Sequence, residues 1–141
     1  MKDCLFCKII AGEIPSAKVY EDDDMIIIKD IEPKAKNHFL CIPKSHFKLL
    51  ADMTEEQSEI LKRCFKKIPA LKKELGLEGG YRLVINQGDD AGQSVFHLHI
   101  HILSGQKMGW TPAYLREGLL KTRKTRAVFL FFSSKRLTYC I

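Results

Sequence analysis

The 141 residues are enough for one domain with a substantial core, and a composition of 45% hydrophobic and 28% charged residues is ordinary for a globular protein. There is no run of 18 apolar residues and no signal-peptide pattern, and the cysteines number five, so we expect a cytoplasmic protein without membrane spans or a disulfide framework. The net charge is +6, and seven Lys or Arg and one Glu follow residue 110, so the first 110 residues carry 16 charges of each sign. The positive excess therefore lies in the tail and gives no indication of what the domain binds, and no nucleic-acid partner is expected.

The first part of the chain predicts one helix and three strands. Residues 4–11 have the character of a short helix that ends at Gly12. Apolar segments at 18–20, 25–30 and 38–43 then predict three strands, separated by an acidic turn and by Pro33.

The second part predicts a long helix and two more strands. Thr54 to Gln57 has the form of a capping box that opens a helix to about Leu75, and Pro69 should kink or split that helix near Ile68. Strands are expected over residues 81–86 and 95–103. The order of elements predicts an α+β fold, with a five-stranded, mainly antiparallel sheet and the helices on one side of it.

Three histidines alternate with apolar residues in the last predicted strand. His97, His99 and His101 fall on one face of a strand, about 6.6 Å apart, while Leu98 and Ile100 face the core. This pattern has two chemical interpretations. The imidazoles could together hold a metal ion, or one could act as a nucleophile whose neighbours set its tautomer and protonate a leaving group.

Further candidate residues each have an ordinary structural explanation as well. The loop at 86–93 is rich in Gly and Asp, which suits a hairpin connection or backbone amides that approach an anion. The Cys4-x-x-Cys7 pair is compatible with a redox pair, half of a zinc site or two core residues. Asp30 ends a buried strand, where it could contact a ligand or simply form a turn before Pro33.

Taken together, these motifs resemble the histidine triad family. Its signature alternates three histidines with apolar residues, and here Gly92-Gln93-Ser94 and Gly109-Trp110 flank it as in the Hint branch. The resemblance covers residues 1–110. It implies an α+β homodimer with a sheet continued across the interface. It also implies hydrolysis of purine nucleoside 5′-monophosphoramidates through a nucleotidyl-histidine intermediate. The alternative is a nucleotide-binding or scaffold protein whose hydrolysis is incidental.

The resemblance also assigns roles to individual residues. His99 is the implied nucleophile, and His101 is the implied hydrogen-bond donor to the phosphate. The implied nucleotide contacts are Asp30, Ile31, His38, Asn86, Gly92, Gln93, Ser94, His99, His101 and Trp110. Bacterial members have a structural zinc site with two cysteines and two histidines, which correspond here to Cys4, Cys7, His46 and His97. No Mg²⁺ is expected to be required.

The sequence departs from the family after Trp110. Residues 111–141 form an atypical basic extension in place of the usual short ending, so we expect a domain over 1–110 followed by an appendage. Residues 112–121 have the pattern of a short amphipathic helix, and residues 127–132 are apolar enough for an edge strand. A read-through or frameshifted end would have the same character as a true extension.

Overall fold

The structure, a computed structural model, describes residues 3–109. The predictions made for Trp110 and for the extension at 111–141 lie outside that range. The two helices and five strands are, in chain order, α1 Leu5–Ile10, β1 Lys18–Glu21, β2 Met25–Lys29, β3 Asn37–Pro43, α2 Glu55–Ala70, β4 Tyr81–Val84 and β5 Ile100–Ser104. None of the helices in this part of the chain has the length and apolar character needed to cross a membrane.

The five strands form one antiparallel sheet, as the sequence predicts, and their order in the sheet is β1-β2-β3-β5-β4. The last strand in the chain thus lies between β3 and β4. His101 is opposite both Leu40 of β3 and Val84 of β4, and Leu103 is opposite His38. Opposite residues share a face of the sheet, so this register places His38 and His101 diagonally on the same face.

The two helices cover opposite faces of the sheet. On one face, Leu61, Cys64 and Ile68 of α2 pack in a cluster that includes Leu98, Ile100 and Ile102, which we call the α2-side cluster. On the other face, Phe6 and Ile9 of α1 pack in a second cluster, with Ile26, Ile28, Leu40 and Ile42. The expectation that both helices lie on one side is therefore wrong. The unbroken apolar runs in β2 and β3 are typical of strands buried on both faces, and they indicate this arrangement.

The long helix α2 begins as predicted and ends earlier than predicted. Thr54 Oγ1 accepts from the Gln57 N–H and Gln57 Oε1 accepts from the Thr54 N–H, which completes the capping box. The regular helix stops at Ala70, one residue after Pro69, and a hydrogen-bonded turn follows to Gly76. Gly76 has a φ of 63°, a left-handed conformation that lets the chain leave the helix.

The strand that carries the histidines is shorter than the alternation predicts. Regular pairing of β5 with β3 starts at Ile100, opposite Cys41, and not at Val95. Two steps further along β3 lies Pro43, which has no N–H to donate and whose carbonyl oxygen lies 2.8 Å from His97 Nε2. Leu98 instead donates its N–H to the Phe47 carbonyl at 2.7 Å. The alternation of faces nevertheless agrees with the prediction, since Leu98 and Ile100 lie in the α2-side cluster.

Asn37 sits between two glycines at the end of the sheet. A Cβ atom at Gly76 would lie 2.6 Å from Asn37 Nδ2, and one at Gly105 would lie 2.7 Å from it. Both glycines have positive φ, 63° and 83°. Asn37 Nδ2 also donates to Ser104 Oγ, which donates to the Leu75 carbonyl. The end of β5 is thus joined to the turn that follows α2.

Candidate functional site: two histidine clusters on the α1 face

Four possible metal ligands converge between α1, the segment after β3 and the segment before β5. Cys7 Sγ lies 3.3 Å from His46 Nδ1 and 3.6 Å from His97 Nδ1, and Cys4 Sγ lies 3.6 Å from His97 Nδ1. The two Nδ1 atoms are 3.1 Å apart, and all four ligand atoms lie within 4.8 Å of one another. The structure therefore brings together Cys4, Cys7, His46 and His97.

The spacing of these four atoms fits a tetrahedral zinc ion. Zn–S bonds of about 2.3 Å and Zn–N bonds of about 2.0–2.1 Å place a sulfur and a nitrogen about 3.6 Å apart, and two nitrogens about 3.3 Å apart. The His97 ring is oriented to coordinate through Nδ1, because its Nε2–H donates to the Pro43 carbonyl. Burial lowers the pKa of His97 to about 4, which keeps the ring neutral as a ligand must be.

Without a cation the Cys7 thiol resists ionisation. Burial, followed by the hydrogen bond and charge of the neighbouring Cys4, raises the pKa of Cys7 to about 11. Metal ligation requires the thiolate form, which a divalent cation stabilises directly. The donor set is thus suited to a cation such as zinc.

His99 is held in one tautomer by its own backbone neighbour. Its Nδ1 lies 2.8 Å from the His97 carbonyl oxygen, which can only accept, so Nδ1 carries the proton and Nε2 the lone pair. Burial lowers the pKa of His99, against the opposing effect of that hydrogen bond, and so favours the neutral ring. No residue in the range 3–109 hydrogen-bonds Nε2. The described part of the chain therefore leaves the Nε2 lone pair unused.

Phe6 links the metal cluster to His99. Its ring makes edge contacts with His97, at 5.9 Å between centroids, and with His99, at 5.0 Å. Phe6 is 4% exposed and belongs to α1, the helix that follows Cys4 and includes Cys7. Phe6 therefore packs α1, the helix that positions Cys4 and Cys7, against the ring of His99.

A second polar cluster lies beside His99, on the side of His101. His38 Nε2 is 2.9 Å from His101 Nδ1 and 3.2 Å from Asp30 Oδ2. The His101 and His99 rings are 4.9 Å apart between centroids. Burial lowers the pKa of His38, and burial together with the nearby His99 and His38 lowers the pKa of His101 to about 4. All three imidazoles are consequently neutral near pH 7.

The loop before the histidines is stabilised by the buried side chain of Gln93. Its Oε1 accepts from the Gly88 N–H at 2.8 Å, and its Nε2 donates to the Lys48 carbonyl at 3.0 Å and to the Val95 carbonyl at 3.4 Å. Both amide hydrogens are used in these bonds. Gly92 in the same loop has a φ of 75°, and Gly92 and Ser94 are exposed. A direct contact of the Gln93 side chain with a phosphate would break bonds that shape this loop.

Comparisons with known proteins agree with this geometry. The family model described as "Scavenger mRNA decapping enzyme C-term binding" matches residues 3–112. Protein HitA of Neisseria gonorrhoeae is 48% identical over 103 residues, which cover 73% of this chain and 96% of that protein. The chain belongs to the histidine triad family. Its alternating histidines are thus the feature for which the family is named.

Two solved structures of histidine triad proteins are similar to this one. A HIT family hydrolase from Legionella pneumophila Philadelphia 1 is 43% identical with a TM-score of 0.74, over 79% of this chain and 100% of that chain. A Zn-bound histidine triad family protein from Mycobacterium smegmatis is 33% identical with a TM-score of 0.65, over 83% of this chain and 84% of that chain. These similarities confirm the predicted fold class, an antiparallel five-stranded sheet with two helices.

The remaining predicted site residues have no described hydrogen bond to the two histidine clusters. Ile31 follows Asp30 and is 95% exposed. Asn86 is half-buried just after β4, and within residues 3–109 its side chain has no hydrogen bond to the histidines. Trp110 lies outside the described residues. Two groups that shape the site could not be predicted from the histidine triad motif. Phe6 has the pattern of an ordinary helix residue, and the role of the Pro43 carbonyl depends on where β3 ends.

Proposed function

We propose that this histidine triad protein hydrolyses purine nucleoside 5′-monophosphoramidates through a nucleotidyl intermediate on His99. The observation that carries the proposal is the tautomer of His99. Its Nδ1–H donates to the His97 carbonyl at 2.8 Å, and the unprotonated Nε2 has no hydrogen-bond partner within residues 3–109. A neutral imidazole with a fixed, unused lone pair is what nucleophilic attack on phosphorus requires. The similarity to a relative described as a hydrolase supports the same class of reaction.

The reaction divides one difficult substitution into two steps. Nε2 of His99 attacks the α-phosphorus and forms a P–N bond, while the P–N bond to the amine breaks; the departing nitrogen takes up one proton from solvent and leaves as a neutral amine. Water then attacks the nucleotidyl-histidine, the His99–P bond breaks, and the water proton returns to solvent, which releases the nucleoside monophosphate and restores the free imidazole. His101 acts as a hydrogen-bond donor to the phosphate in both steps. None of these steps uses Mg²⁺.

The nucleotide contacts are distributed around His99. The Asp30 carboxylate would accept hydrogen bonds from the ribose hydroxyls, and Ile31, exposed beside it, would lie against the nucleoside. The proposed phosphate contacts are Asn86, the exposed Gly92 and Ser94, with His38 behind His101. Gln93 would contribute by shaping the loop, as its side-chain bonds to Gly88 and Lys48 support. Trp110 would help to select the leaving group.

The bound metal proposed here is a structural zinc ion on Cys4, Cys7, His46 and His97. Zinc would supply no chemistry at the phosphorus, because its four ligands fill a tetrahedral shell. It would connect α1 to the segment that leads into His99, and Phe6 would convey that constraint to the ring. The Zn-bound relative and the measured ligand spacing support this proposal.

We also propose that the protein is a homodimer, as the family resemblance implies, and that it is located in the cytoplasm. Within residues 3–109, β4 pairs with β5 only and is the last strand of the sheet. A terminal strand is the place at which a sheet can continue into a second subunit. Light scattering after size-exclusion chromatography would measure twice the chain mass if the proposal holds, and a monomer at micromolar concentration would contradict it.

Release of AMP from adenosine 5′-monophosphoramidate tests the proposed activity. His99→Ala should abolish turnover while AMP affinity stays within about tenfold, since the lost ring forms the covalent bond and few of the binding contacts. Quenched reactions of the unaltered protein should contain a nucleotidylated peptide that includes His99, detectable by mass spectrometry. Retention of a tenth of the activity by His99→Ala would show that the nucleophile lies elsewhere.

The same assay after chelation separates the other two interpretations. An enzyme with a structural zinc should continue to react at first and lose activity only as it unfolds. A metalloenzyme with its metal on the three alternating histidines should lose activity together with the metal. A nucleotide-binding scaffold should bind AMP and release none from the phosphoramidate.

A further inference from the structure

The cluster of Asp30, His38 and His101 has two chemical possibilities. Its three polar atoms lie within 4.8 Å of one another, close enough to hold a metal ion. They could equally form a hydrogen-bonded chain, with His38 Nε2 2.9 Å from His101 Nδ1. The two possibilities place the proton of His38 differently, because a ring nitrogen that binds a metal carries none.

The backbone partner of His38 decides between them. The Lys34 N–H donates to His38 Nδ1 at 3.1 Å, and an amide N–H has no capacity to accept. His38 Nδ1 is therefore unprotonated, and in the neutral ring the proton must be on Nε2. This is the atom that faces Asp30 and His101. A protonated Nε2 can donate to either of them, and it cannot coordinate a metal.

His97 shows the opposite arrangement in the same fold. Its Nε2–H donates to a backbone carbonyl, that of Pro43, and this leaves Nδ1 free to coordinate among Cys4, Cys7 and His46. A carbonyl beside one ring nitrogen thus prepares the other for a metal, whereas an amide beside one ring nitrogen makes the other a donor. The Lys34 amide and the Pro43 carbonyl thus favour different chemistry in the two clusters.

The proton on His38 in turn sets the tautomer of His101. His101 Nδ1 lies 2.9 Å from the protonated Nε2 of His38, a separation that leaves no room for a second proton between the two nitrogens, so His101 Nδ1 is unprotonated. The single proton of a neutral His101 then lies on Nε2. Asp30 Oδ2, 3.2 Å from the same His38 Nε2, stabilises that proton by its negative charge.

We infer that His38, held by the Lys34 backbone amide, is a positioning residue that keeps the proton of His101 on Nε2, so that Asp30, His38 and His101 form a hydrogen-bonded network and not a second metal site. His101 is thereby a hydrogen-bond donor at the nucleotide site. His99, whose proton is on Nδ1, presents a lone pair. The part of this inference that concerns the nucleotide rests on the proposed function, and the tautomers themselves do not.

Nitrogen-15 NMR of the imidazoles measures the tautomers without any turnover. In zinc-loaded protein near pH 7, His38 and His101 should both show a protonated Nε2 and an unprotonated Nδ1, and His99 should show the reverse. His101 with its proton on Nδ1 would overturn the inference. If the tautomers are as stated and no phosphoramidate is hydrolysed, the proposed function fails and the assignment of the network stands.

Two substitutions at His38 test whether its donor positions His101. His38→Leu removes the donor, so the His101 signals should become a mixture of tautomers and kcat should fall about 100-fold, with a smaller change in KM. His38→Gln carries an amide that can accept from Lys34 and donate to His101, and it should recover most of that loss and the single tautomer. Equal losses in the two variants, with unchanged His101 signals, would contradict a positioning role.

Zinc titration tests the excluded metal site. The unaltered protein should bind one equivalent of zinc per chain with high affinity, and Cys7→Ala should bind none. A second tight equivalent that persists in Cys7→Ala and disappears in His38→Gln would place a metal on Asp30, His38 and His101, and would overturn the inference.

Discussion

Removal of one cysteine ligand should cost the protein its zinc and much of its stability, while leaving the fold formed. The measured ligand separations of 3.1–3.6 Å differ from the tetrahedral values of about 3.3 and 3.6 Å by only a few tenths of an ångström. The site is thus formed in advance, and little of the binding free energy is spent on rearrangement. We expect one zinc per chain, with X-ray absorption distances of about 2.3 Å to sulfur and 2.0–2.1 Å to nitrogen.

The expected loss of stability follows from mass action. A metal present at 100 times its dissociation constant stabilises the folded state by about 2.7 kcal/mol. For a domain of this size each kcal/mol corresponds to a shift of about 4–8 °C in melting temperature, so Cys7→Ala should melt about 10–20 °C lower than the zinc-loaded protein. The variant should still unfold cooperatively, because the α2-side cluster contains none of the four ligands.

Cys64→Ala is the matched control. Cys64 is fully buried in the α2-side cluster and lies outside the metal site, so its removal leaves a small cavity and should retain one zinc. Zinc content by elemental analysis and thermal melts, with and without a chelator, would compare the two variants. The reasoning is refuted if the unaltered protein is purified without metal and does not gain stability when zinc is added.

Three further outcomes are expected. Gly12 has a φ of 78° and open space around its added Cβ, so Gly12→Ala should lower the free energy of unfolding in urea by about 1 kcal/mol. Gly105→Ala should lower it by about 1–3 kcal/mol more, because its Cβ meets Asn37. Equal losses in the two variants would contradict that contact. The folded-state pKa of His101, about 4, lies below the unfolded value of 6.5, so the unfolded chain binds more protons between these values. The free energy of unfolding should therefore fall by up to about 3 kcal/mol as the pH decreases from 6.5 to 4. His101→Gln should lack this decrease. If the curves of unfolding free energy against pH are parallel for the variant and the unaltered protein, the prediction is refuted. Truncation after Pro112 should leave a folded dimer that melts within a few degrees of the full chain; an unfolded or monomeric product would move the domain boundary.

The sequence predicted the elements of the fold better than their ends. Local patterns give the capping box at Thr54 and the faces of Leu98 and Ile100, since both depend on residues near in sequence. The start of β5 depends on Pro43, more than fifty residues earlier, whose missing N–H and occupied carbonyl prevent further pairing. A pattern within one segment contains no information about its partner strand.

The candidate site shows the same division. The motif predicts which histidines come together, and the structure places them side by side with Cys4 and Cys7. The tautomers could not be predicted, because each is set by one backbone group: the His97 carbonyl for His99, the Lys34 amide for His38. These contacts form only when the chain folds, so the residue types alone do not predict them.

The two apolar clusters on opposite faces of the sheet should also open independently. The helix on the site face, α1, has six residues, too few to persist alone, and it is held mainly by Phe6, Ile9 and the cysteine ligands. The opposite face is closed by the sixteen residues of α2. Amide hydrogens in α1 should accordingly exchange through local opening, at rates that zinc slows, whereas those of Ile27 and Ile102 should exchange only on global unfolding. Local opening of α1 would then widen the access of ligands to His99 while most of the sheet remains intact.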